Sequence, residues 1–303
     1  MYIFDISGGE KTMALVTIKE MLEKARKEKY CIGAFDASNL EMGQKIIEAA
    51  QEKRSPVIIM GLTNDLQGDM LEYWLYGMRK MAERADVPVC LHLDHAKDMD
   101  FLKKCVDMGF TSVMFDGSTS PLDENIRLTK EATDYAHAHG VTVEAELGHV
   151  GDGMVSGEAK TDGEYDDPDE YLTDPAELQR FIRETGVDCL AVAVGTSHGV
   201  YVHTPKLHFE RLDILNELSE VPMVMHGGSG TPDEQIKRAV EKGICKLNIY
   251  SEMLSAYYGE LKKKLEESAS LAIWVSKANE RPLNALKEVV KEKIDLVGST
   301  GKA

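Results

Sequence analysis

Polar residues suited to metal binding and acid–base chemistry stand at the carboxyl ends of six apolar segments. They are His92-Leu93-Asp94-His95, Asp116, Glu144-Ala145-Glu146, Gly195-Thr196-Ser197-His198-Gly199, His226-Gly227-Gly228-Ser229-Gly230, and Asn248 leading to Ser251. Three histidines from three segments, His95, His198 and His226, form a ligand set that leaves a coordination position open, as in catalytic zinc sites. His92 shares a face with Asp94 and is predicted to support the site.

A glycine-rich turn follows His226 and predicts an anion site. Gly227-Gly228-Ser229-Gly230 precedes Thr231-Pro232, where a helix is expected to begin. Backbone N–H groups of such a turn, together with a helix N-terminus, bind phosphate. Any tight turn uses glycine, but the position directly after a candidate metal ligand favours the phosphate interpretation.

Eight short apolar segments alternate with longer amphipathic ones. The strand segments are 31–36, 56–60, 87–94, 111–116, 141–147, 188–194, 221–226 and 245–250, and the helical segments include 40–53, 99–108, 125–139, 175–185 and 232–242. Nearly continuous apolar strands are typical of a parallel sheet covered by helices. Eight units without a change in composition predict one (β/α)8 TIM barrel of the α/β class, rather than an open doubly wound sheet.

Four stretches lie outside this alternation of strands and helices. Residues 1–12 carry no signal-peptide pattern and are predicted to be a dispensable N-terminal extension, with the barrel domain at 13–303. Residues 151–174 are acidic and glycine-containing, and predict a mobile loop over the site; a solvated insertion without a role is the alternative. Residues 254–271 and 282–296 predict extra C-terminal helices that cover the barrel or form a subunit contact.

Composition narrows the classes of partner. The 303 residues carry a net charge of −17, which disfavours nucleic acid and anionic membranes as partners. An anionic substrate therefore requires a local cluster of donors. No apolar run approaches the roughly 20 residues of a membrane span. The five cysteines form no CxxC pair and predict buried, reduced thiols, so a cytoplasmic protein is expected.

Taken together, the motifs resemble those of the class II, zinc-dependent ketose-bisphosphate aldolases, in particular the fructose- and tagatose-bisphosphate branch. The similarity covers about residues 13–303. Besides the strand-end motifs it includes Gly33-Ala34-Phe35, Asn39-Leu40-Glu41, Glu144-Ala145-Glu146-Leu147-Gly148 and the closing Gly298-Ser299-Thr300-Gly301-Lys302-Ala303.

The resemblance implies roles for individual residues. It implies zinc on His95, His198 and His226 with Glu146 nearby, and Asp94 as the acid–base group at the ketose C4 hydroxyl, with Asn248 also catalytic. Binding of dihydroxyacetone phosphate is implied for Gly199, Gly227, Gly228, Ser229, Asn248, Ile249, Tyr250 and Ser251, with Asp36 close by. It also implies a monovalent cation, Na⁺ or K⁺, near these carbonyls and a homodimer or homotetramer. The reaction is a reversible retro-aldol cleavage, in which zinc stabilises the enediolate charge.

Departures from the family pattern surround the substrate site. Asp36 stands where asparagine is usual, Tyr250 where aspartate is usual, and the loop carboxylate position holds Gly153-Met154; the serine expected near Leu62-Thr63 and the lysine near Val202 are also missing. These changes leave the metal ligands intact and predict an altered aldehyde partner. Asp152 and Glu158 are the candidate replacements for the loop base.

Three alternatives stay open. An ordinary fructose- or tagatose-bisphosphate aldolase would use the same ligands. A sugar-phosphate binding protein with impaired catalysis would explain the missing loop carboxylate. A zinc hydrolase on the same barrel is disfavoured, because Ala34-Phe35-Asp36 offers no His-x-His pair at the end of the first strand.

Overall fold

The computed structural model describes residues 14–151, 171–199, 201 and 204–303. Its strands are β1 Ile32–Asp36, β2 Val57–Leu62, β3 Val89–Ala96, β4 Ser112–Phe115, β5 Thr142–Leu147, β6 Cys189–Val192, β7 Met223–Met225 and β8 Ile244–Ile249. Its helices are α1 Ile18–Glu28, α2 Leu40–Lys53, α3 Met70–Arg84, α4 Met99–Met108, α5 Leu122–Ala138, α6 Pro175–Thr185, α7 Phe209–Leu218, α8 Asp233–Glu241, α9 Ser251–Glu266 and α10 Val275–Leu296.

The eight strands form a closed parallel barrel in chain order, which confirms the predicted (β/α)8 fold. The barrel closes where β1 pairs with β8 in the register Ile32↔Lys246 to Phe35↔Ile249. The helices cover the outside of the barrel, and α1 packs its buried residues, including Ile18 and Leu22, against the inward side chains at the N-terminal end of the strands.

Polarity inside the barrel increases towards the carboxyl ends of the strands. Because side chains alternate along a strand, every second residue points inward. On β3 the inward series is Cys90, His92 and Asp94, and on β5 it ends in Glu144 and Glu146. Barrel interiors are mostly filled by branched apolar residues. The interior is therefore polar at the carboxyl ends of the strands and apolar at their amino ends.

Capping residues explain where the predicted helices begin and end. The Asp98 side chain accepts a hydrogen bond from Phe101 N at the start of α4, and the helix ends at Gly109 with a φ of 107°. The Asp174 side chain accepts one from Ala176 N, and α6 ends at Gly186 with a φ of 70°. A left-handed residue after a helix favours glycine, so these glycines separate each helix from the next strand.

The two C-terminal helices are present, and the second ends at Leu296 as predicted, but the other predicted limits are wrong. Helix α10 begins at Val275, and Pro282 lies inside it rather than at its start. Helix α9 ends at Glu266, five residues before the predicted end. The helices pack against each other, where Tyr257 Oη donates to Asn279 Oδ1 at 2.9 Å, and α10 packs on α2. They cover the side of the barrel next to β1.

The closing motif ties the chain end to the N-terminal end of the barrel, opposite the active-site face. Gly301 N donates to Lys53 O at 3.0 Å, and Ala303 N donates to Arg54 O at 2.9 Å. Ser55 and Ser299 are both buried, with their hydroxyl oxygens 2.9 Å apart. The motif therefore has a structural role at residues where α2 joins β2.

All five cysteines are buried free thiols, as predicted. No helix among the described residues is long and apolar enough to cross a membrane.

The proposed extension at 1–12, and Asp152, Glu158 and Val202, lie outside the described residues. The structure therefore does not test the predictions made for these residues.

Candidate active site

A β-bulge near the end of β3 brings two successive side chains into the barrel mouth. The pairing of β3 with β4 shifts between Leu93 and Ala96, so that β3 contains one extra residue. Within this bulge His95 has a φ of 47°, in the left-handed region that a non-glycine residue rarely adopts. Regular alternation would turn His95 away from Asp94, and the bulge directs both inward. Such a conformation costs about 1–3 kcal/mol and tends to occur at functional sites.

His95, His198 and His226 come together at this mouth. One ligand atom from each lies within 4.8 Å of the others. The His95 ring centroid is 4.8 Å from that of His198 and 4.7 Å from that of His226. The three imidazoles, which come from β3 and from the segments after β6 and β7, thus lie close together although they are far apart in sequence.

Carboxylates fix the orientation of two of these rings. His95 Nδ1 lies 3.0 Å from Asp116 Oδ2, and His226 Nε2 lies 3.0 Å from Glu144 Oε1. Burial opposes ionisation of Asp116, but His95 and Ser118 outweigh it and lower its pKa to about 2. Burial also opposes ionisation of Glu144, and Lys246 holds its pKa well below the ordinary range. An ionised carboxylate only accepts, so each imidazole donates through this nitrogen and leaves the other available.

The remaining nitrogens fit a metal ion. His95 Nε2, His226 Nδ1 and Glu146 Oε2 are buried atoms with no hydrogen-bond partner among the described residues. Buried polar atoms are normally satisfied, so three such atoms facing one volume fit the donor set of a metal ion. His226 Nδ1 and Glu146 Oε2 lie only 3.1 Å apart, which places Glu146 next to the predicted ligand set. A second possible group, His95, Asp116 and Glu146, shares the same volume.

Asp94 and Asn248 face each other beside the histidines. Asn248 Nδ2 donates to Asp94 Oδ1 at 3.4 Å, and both residues are buried. Burial raises the pKa of Asp94, but its electrostatic interactions with His95, Lys246 and His226 outweigh burial, so the net pKa is lowered. Asp94 is therefore a carboxylate at neutral pH and is able to accept a proton.

Asp36 and Tyr250 occupy the ends of β1 and β8, on the same side of the mouth. Burial and the neighbouring Asp94 charge raise the pKa of Asp36 well above its ordinary value. A protonated aspartate offers one donor and one acceptor, as asparagine does, so Asp36 remains compatible with the asparagine usual at this position. Tyr250 Oη lies 2.6 Å from Ser38 Oγ, and burial raises its pKa to about 12. Burial thus disfavours the charged form of both residues.

Ser229 links the glycine-rich turn to the start of α9. Its Oγ accepts hydrogen bonds from Tyr250 N at 3.0 Å and Glu252 N at 3.3 Å. Because the oxygen accepts twice, the hydroxyl proton is left to donate to a ligand. Ser251 is the first residue of α9, and α8 begins at Asp233. Two helix N-termini next to one turn favour an anion.

Not every backbone amide of this turn faces a ligand. Gly228 N donates to Asn248 O at 3.0 Å, so it holds the turn against β8. Tyr201 Oη donates to Gly227 O at 2.7 Å and accepts from Ser197 N at 3.1 Å, which joins the turn to the loop after β6. Gly199, with a φ of 82°, belongs to that loop, and the last residue of β8, Ile249, is buried.

Gly227 should not tolerate a side chain. It has a φ of 67°, and a Cβ at this position would overlap with the carbonyl oxygen of Ser197. Gly140 is a matched control, because its φ is 73° and nothing lies within 4 Å of its Cβ position. We expect Gly140→Ala to lower the free energy of unfolding by about 1–2 kcal/mol through backbone strain alone. Gly227→Ala should cost more and also weaken inorganic phosphate binding, measured by denaturant unfolding and calorimetry; equal costs would contradict the overlap.

Four residues near the metal volume had no individual role assigned from the sequence, although Asp116 and Glu144 were among the strand-end polar residues. Asp116 orients His95, and Glu144 and Lys246 form a buried ion pair behind His226. His149, just after β5, has its Nδ1 3.5 Å from Glu146 Oε1 and 2.9 Å from Ser118 Oγ. The alternating Glu144-x-Glu146 and Lys246-x-Asn248 pairs were the signals available. Each puts a second polar residue on the inward face.

A closed parallel barrel with histidines and buried carboxylates gathered at the carboxyl ends of its strands is the architecture of a TIM-barrel enzyme. Residues 16–302 match the family model described as fructose-bisphosphate aldolase class-II. The chain is 38% identical over 304 residues to the 6-phospho-5-dehydro-2-deoxy-D-gluconate aldolase of Bacillus subtilis, covering 96% of this chain and 98% of that protein.

Solved structures agree with these matches. The YdjI aldolase of Escherichia coli K12 superimposes with a TM-score of 0.83 at 36% identity, covering 95% of this chain and 99% of that one. A putative fructose-1,6-biphosphate aldolase from Coccidioides immitis gives a TM-score of 0.81 at 33% identity, covering 94% and 97%. The chain belongs to the class II fructose-bisphosphate aldolase family and is an aldolase, a carbon–carbon lyase.

Proposed function

We propose that this aldolase cleaves a phosphorylated ketose reversibly to dihydroxyacetone phosphate and an aldehyde that carries no phosphate. The observation that carries the proposal is the buried Asp94 carboxylate next to the three histidines. Asp94 accepts the proton of the hydroxyl group on the carbon β to the ketone as the carbon–carbon bond breaks, and returns it in condensation.

Zinc is the proposed metal, held by His95, His198 and His226, with Glu146 as a neighbouring carboxylate. Three imidazoles with an open position are typical of catalytic zinc. When bound, zinc supplies a Lewis acid that stabilises the negative charge developing on the ketone half. Asn248 donates from its amide to Asp94 and keeps the carboxylate oriented. A Na⁺ or K⁺ ion near the turn carbonyls and a homodimer or homotetramer remain predictions.

The phosphate of the ketone half is proposed to lie at Gly199, Gly227, Gly228, Ser229 and Ser251, with Ile249 and Tyr250 behind it. Ser229 donates its hydroxyl proton, and the N-terminus of α9 adds partial positive charge. This local arrangement offsets the net charge of −17, which alone would repel the substrate.

Two observations support the proposal that the aldehyde half of the substrate differs from that of fructose bisphosphate. One is the substrate named for the Bacillus subtilis relative, and the other is that Asp36 and Tyr250 differ from the residues usual in the family. For a 6-phospho-5-dehydro-2-deoxygluconate, retro-aldol chemistry breaks the bond between C3 and C4. The fragments are dihydroxyacetone phosphate and the three-carbon aldehyde acid 3-oxopropanoate. Neither Asp36 nor Tyr250 offers positive charge for a second phosphate.

A panel of aldehydes condensed with dihydroxyacetone phosphate by the zinc-loaded protein tests the proposal. We expect 3-oxopropanoate or another unphosphorylated aldehyde to be used with at least tenfold higher kcat/KM than glyceraldehyde 3-phosphate, a difference of about 1.4 kcal/mol. Activity should disappear with a chelator and return with zinc. Preference for glyceraldehyde 3-phosphate would identify an ordinary bisphosphate aldolase. No condensation and no proton exchange on dihydroxyacetone phosphate would identify a binding protein.

A further inference from the structure

Lys246 is a fully buried lysine inside the barrel, on β8 two residues before Asn248. Its Nζ lies 2.9 Å from Glu144 Oε2, 3.1 Å from Glu144 Oε1 and 2.7 Å from Asn248 Oδ1. An ammonium has three N–H donors, so three oxygens account for all of them. Burial disfavours its charge, but Glu144 and Asp94 outweigh burial and raise the pKa of Lys246.

The contact with Asn248 determines which way its amide points. An ammonium only donates, so the atom at 2.7 Å must be the amide oxygen. The NH₂ group is then directed away from Lys246, and it lies 3.4 Å from Asp94 Oδ1. A rotated amide would put its oxygen against the Asp94 carboxylate, which repels it. Lys246 therefore maintains the donor that faces the acid–base residue.

Through its contact with Glu144, Lys246 is connected to His226, a predicted metal ligand. Glu144 Oε1 accepts from His226 Nε2 at 3.0 Å, which leaves His226 Nδ1 facing Glu146 and the other histidines. Lys246 Nζ contacts both oxygens of the Glu144 carboxylate and so holds that carboxylate in place. The same ammonium is thus connected to the metal side of the site through Glu144 and to the proton-transfer side through Asn248.

Stability does not explain this buried pair. Burying two charges costs desolvation energy, and apolar residues of similar volume are often at least as stable. Barrel interiors usually contain such residues at these positions. We propose that Lys246 is a positioning residue, whose ammonium orients the Asn248 amide directly and the His226 ring through Glu144. Its link to turnover rests on the proposed function, whereas its link to metal binding does not.

Cobalt(II) titration, followed by visible absorption, tests the metal side without any substrate. We expect Lys246→Met to weaken Co²⁺ binding about 10–100-fold and to lower kcat at saturating metal by a similar factor, as for other groups that orient metal ligands. The double variant Lys246→Met/Glu144→Gln removes both charges and keeps an oxygen for His226 Nε2–H. Relative to Lys246→Met, the double variant should regain the melting temperature and most of the Co²⁺ affinity of the parent protein. Its kcat should stay low with little change in KM, because no ammonium orients the Asn248 amide.

Asp188→Asn is the matched control at the opposite end of the barrel. Asp188 is buried, and it accepts hydrogen bonds from Lys19 Nζ at 3.2 Å and from Val143 N at 2.8 Å. This variant should lower the melting temperature and leave Co²⁺ affinity and kcat unchanged. Wild-type kcat in the double variant would overturn the proposal, as would unchanged Co²⁺ affinity in Lys246→Met. If the parent protein binds Co²⁺ but condenses no aldehyde, the proposed function is wrong. The Co²⁺ titration of the variants then still tests the role of Lys246 in the metal site.

Discussion

Asp94→Asn should retain its zinc and lose about 10²–10⁴-fold in kcat, the usual contribution of a general acid–base group. Asparagine preserves the size of the side chain and its contact with Asn248, but it accepts no proton at neutral pH. The carboxylate does not belong to either possible metal group, so metal content should stay at the parent value. Steady-state kinetics with the best aldehyde, together with metal analysis, would measure both quantities.

Asp98→Asn is the matched control for this substitution. Asp98 is exposed and caps α4 through Phe101 N at 3.0 Å, and asparagine caps helices about as well. The control should behave as the parent protein does. A near-normal rate for Asp94→Asn would remove Asp94 from the mechanism and direct attention to Asp36 or to the loop after β5.

His226→Ala should abolish tight zinc binding and reduce activity to background. Removing one of three imidazoles leaves too few ligands for a catalytic zinc site. It also leaves Glu144 and Glu146 without His226, so the expected loss includes stability as well as metal. Metal analysis after dialysis, with circular dichroism as a check on folding, would show the effect.

His139→Ala is the control, because His139 lies at the exposed C-terminal end of α5. Its zinc content should match that of the parent protein. Unchanged zinc in His226→Ala would disprove the proposed ligand set. In that case His95, Asp116 and Glu146 would be the group to examine next.

The order of the strands and the end of the barrel that holds the candidate site could be predicted from the sequence. Buried parallel strands are nearly continuous in apolar residues, so all eight were found within about two residues of their limits. The rule that catalytic groups follow the strands then placed His95, His198 and His226 at one end. Helices α2, α4 and α6 were predicted with their observed limits, because a cap or a glycine marks their ends.

The remaining features depend on tertiary structure. Alternation along β3 directs His95 outward, and only the bulge, formed by pairing with β4, turns it into the site. In the sequence Lys246 is a single charge within an apolar strand segment, and its partner Glu144 is 102 residues away. Helix α1 was missed, and α3 and α7 were implied by the eight units without limits. Pro282 was placed at a helix start because proline usually disrupts helix interiors.

The contact between the first and last strands has a consequence for synthesis of the protein on the ribosome. The pairs Ile32↔Lys246 and Phe35↔Ile249 join residues more than 200 positions apart, and Gly301 and Ala303 bind back to Lys53 and Arg54. Until the C-terminal segment emerges, β1 has an unpaired edge and the nascent chain exposes apolar strand surface. Such edges favour association between chains. Cells producing a form truncated before β8 should therefore accumulate it in aggregates, where chaperones and proteases would process it.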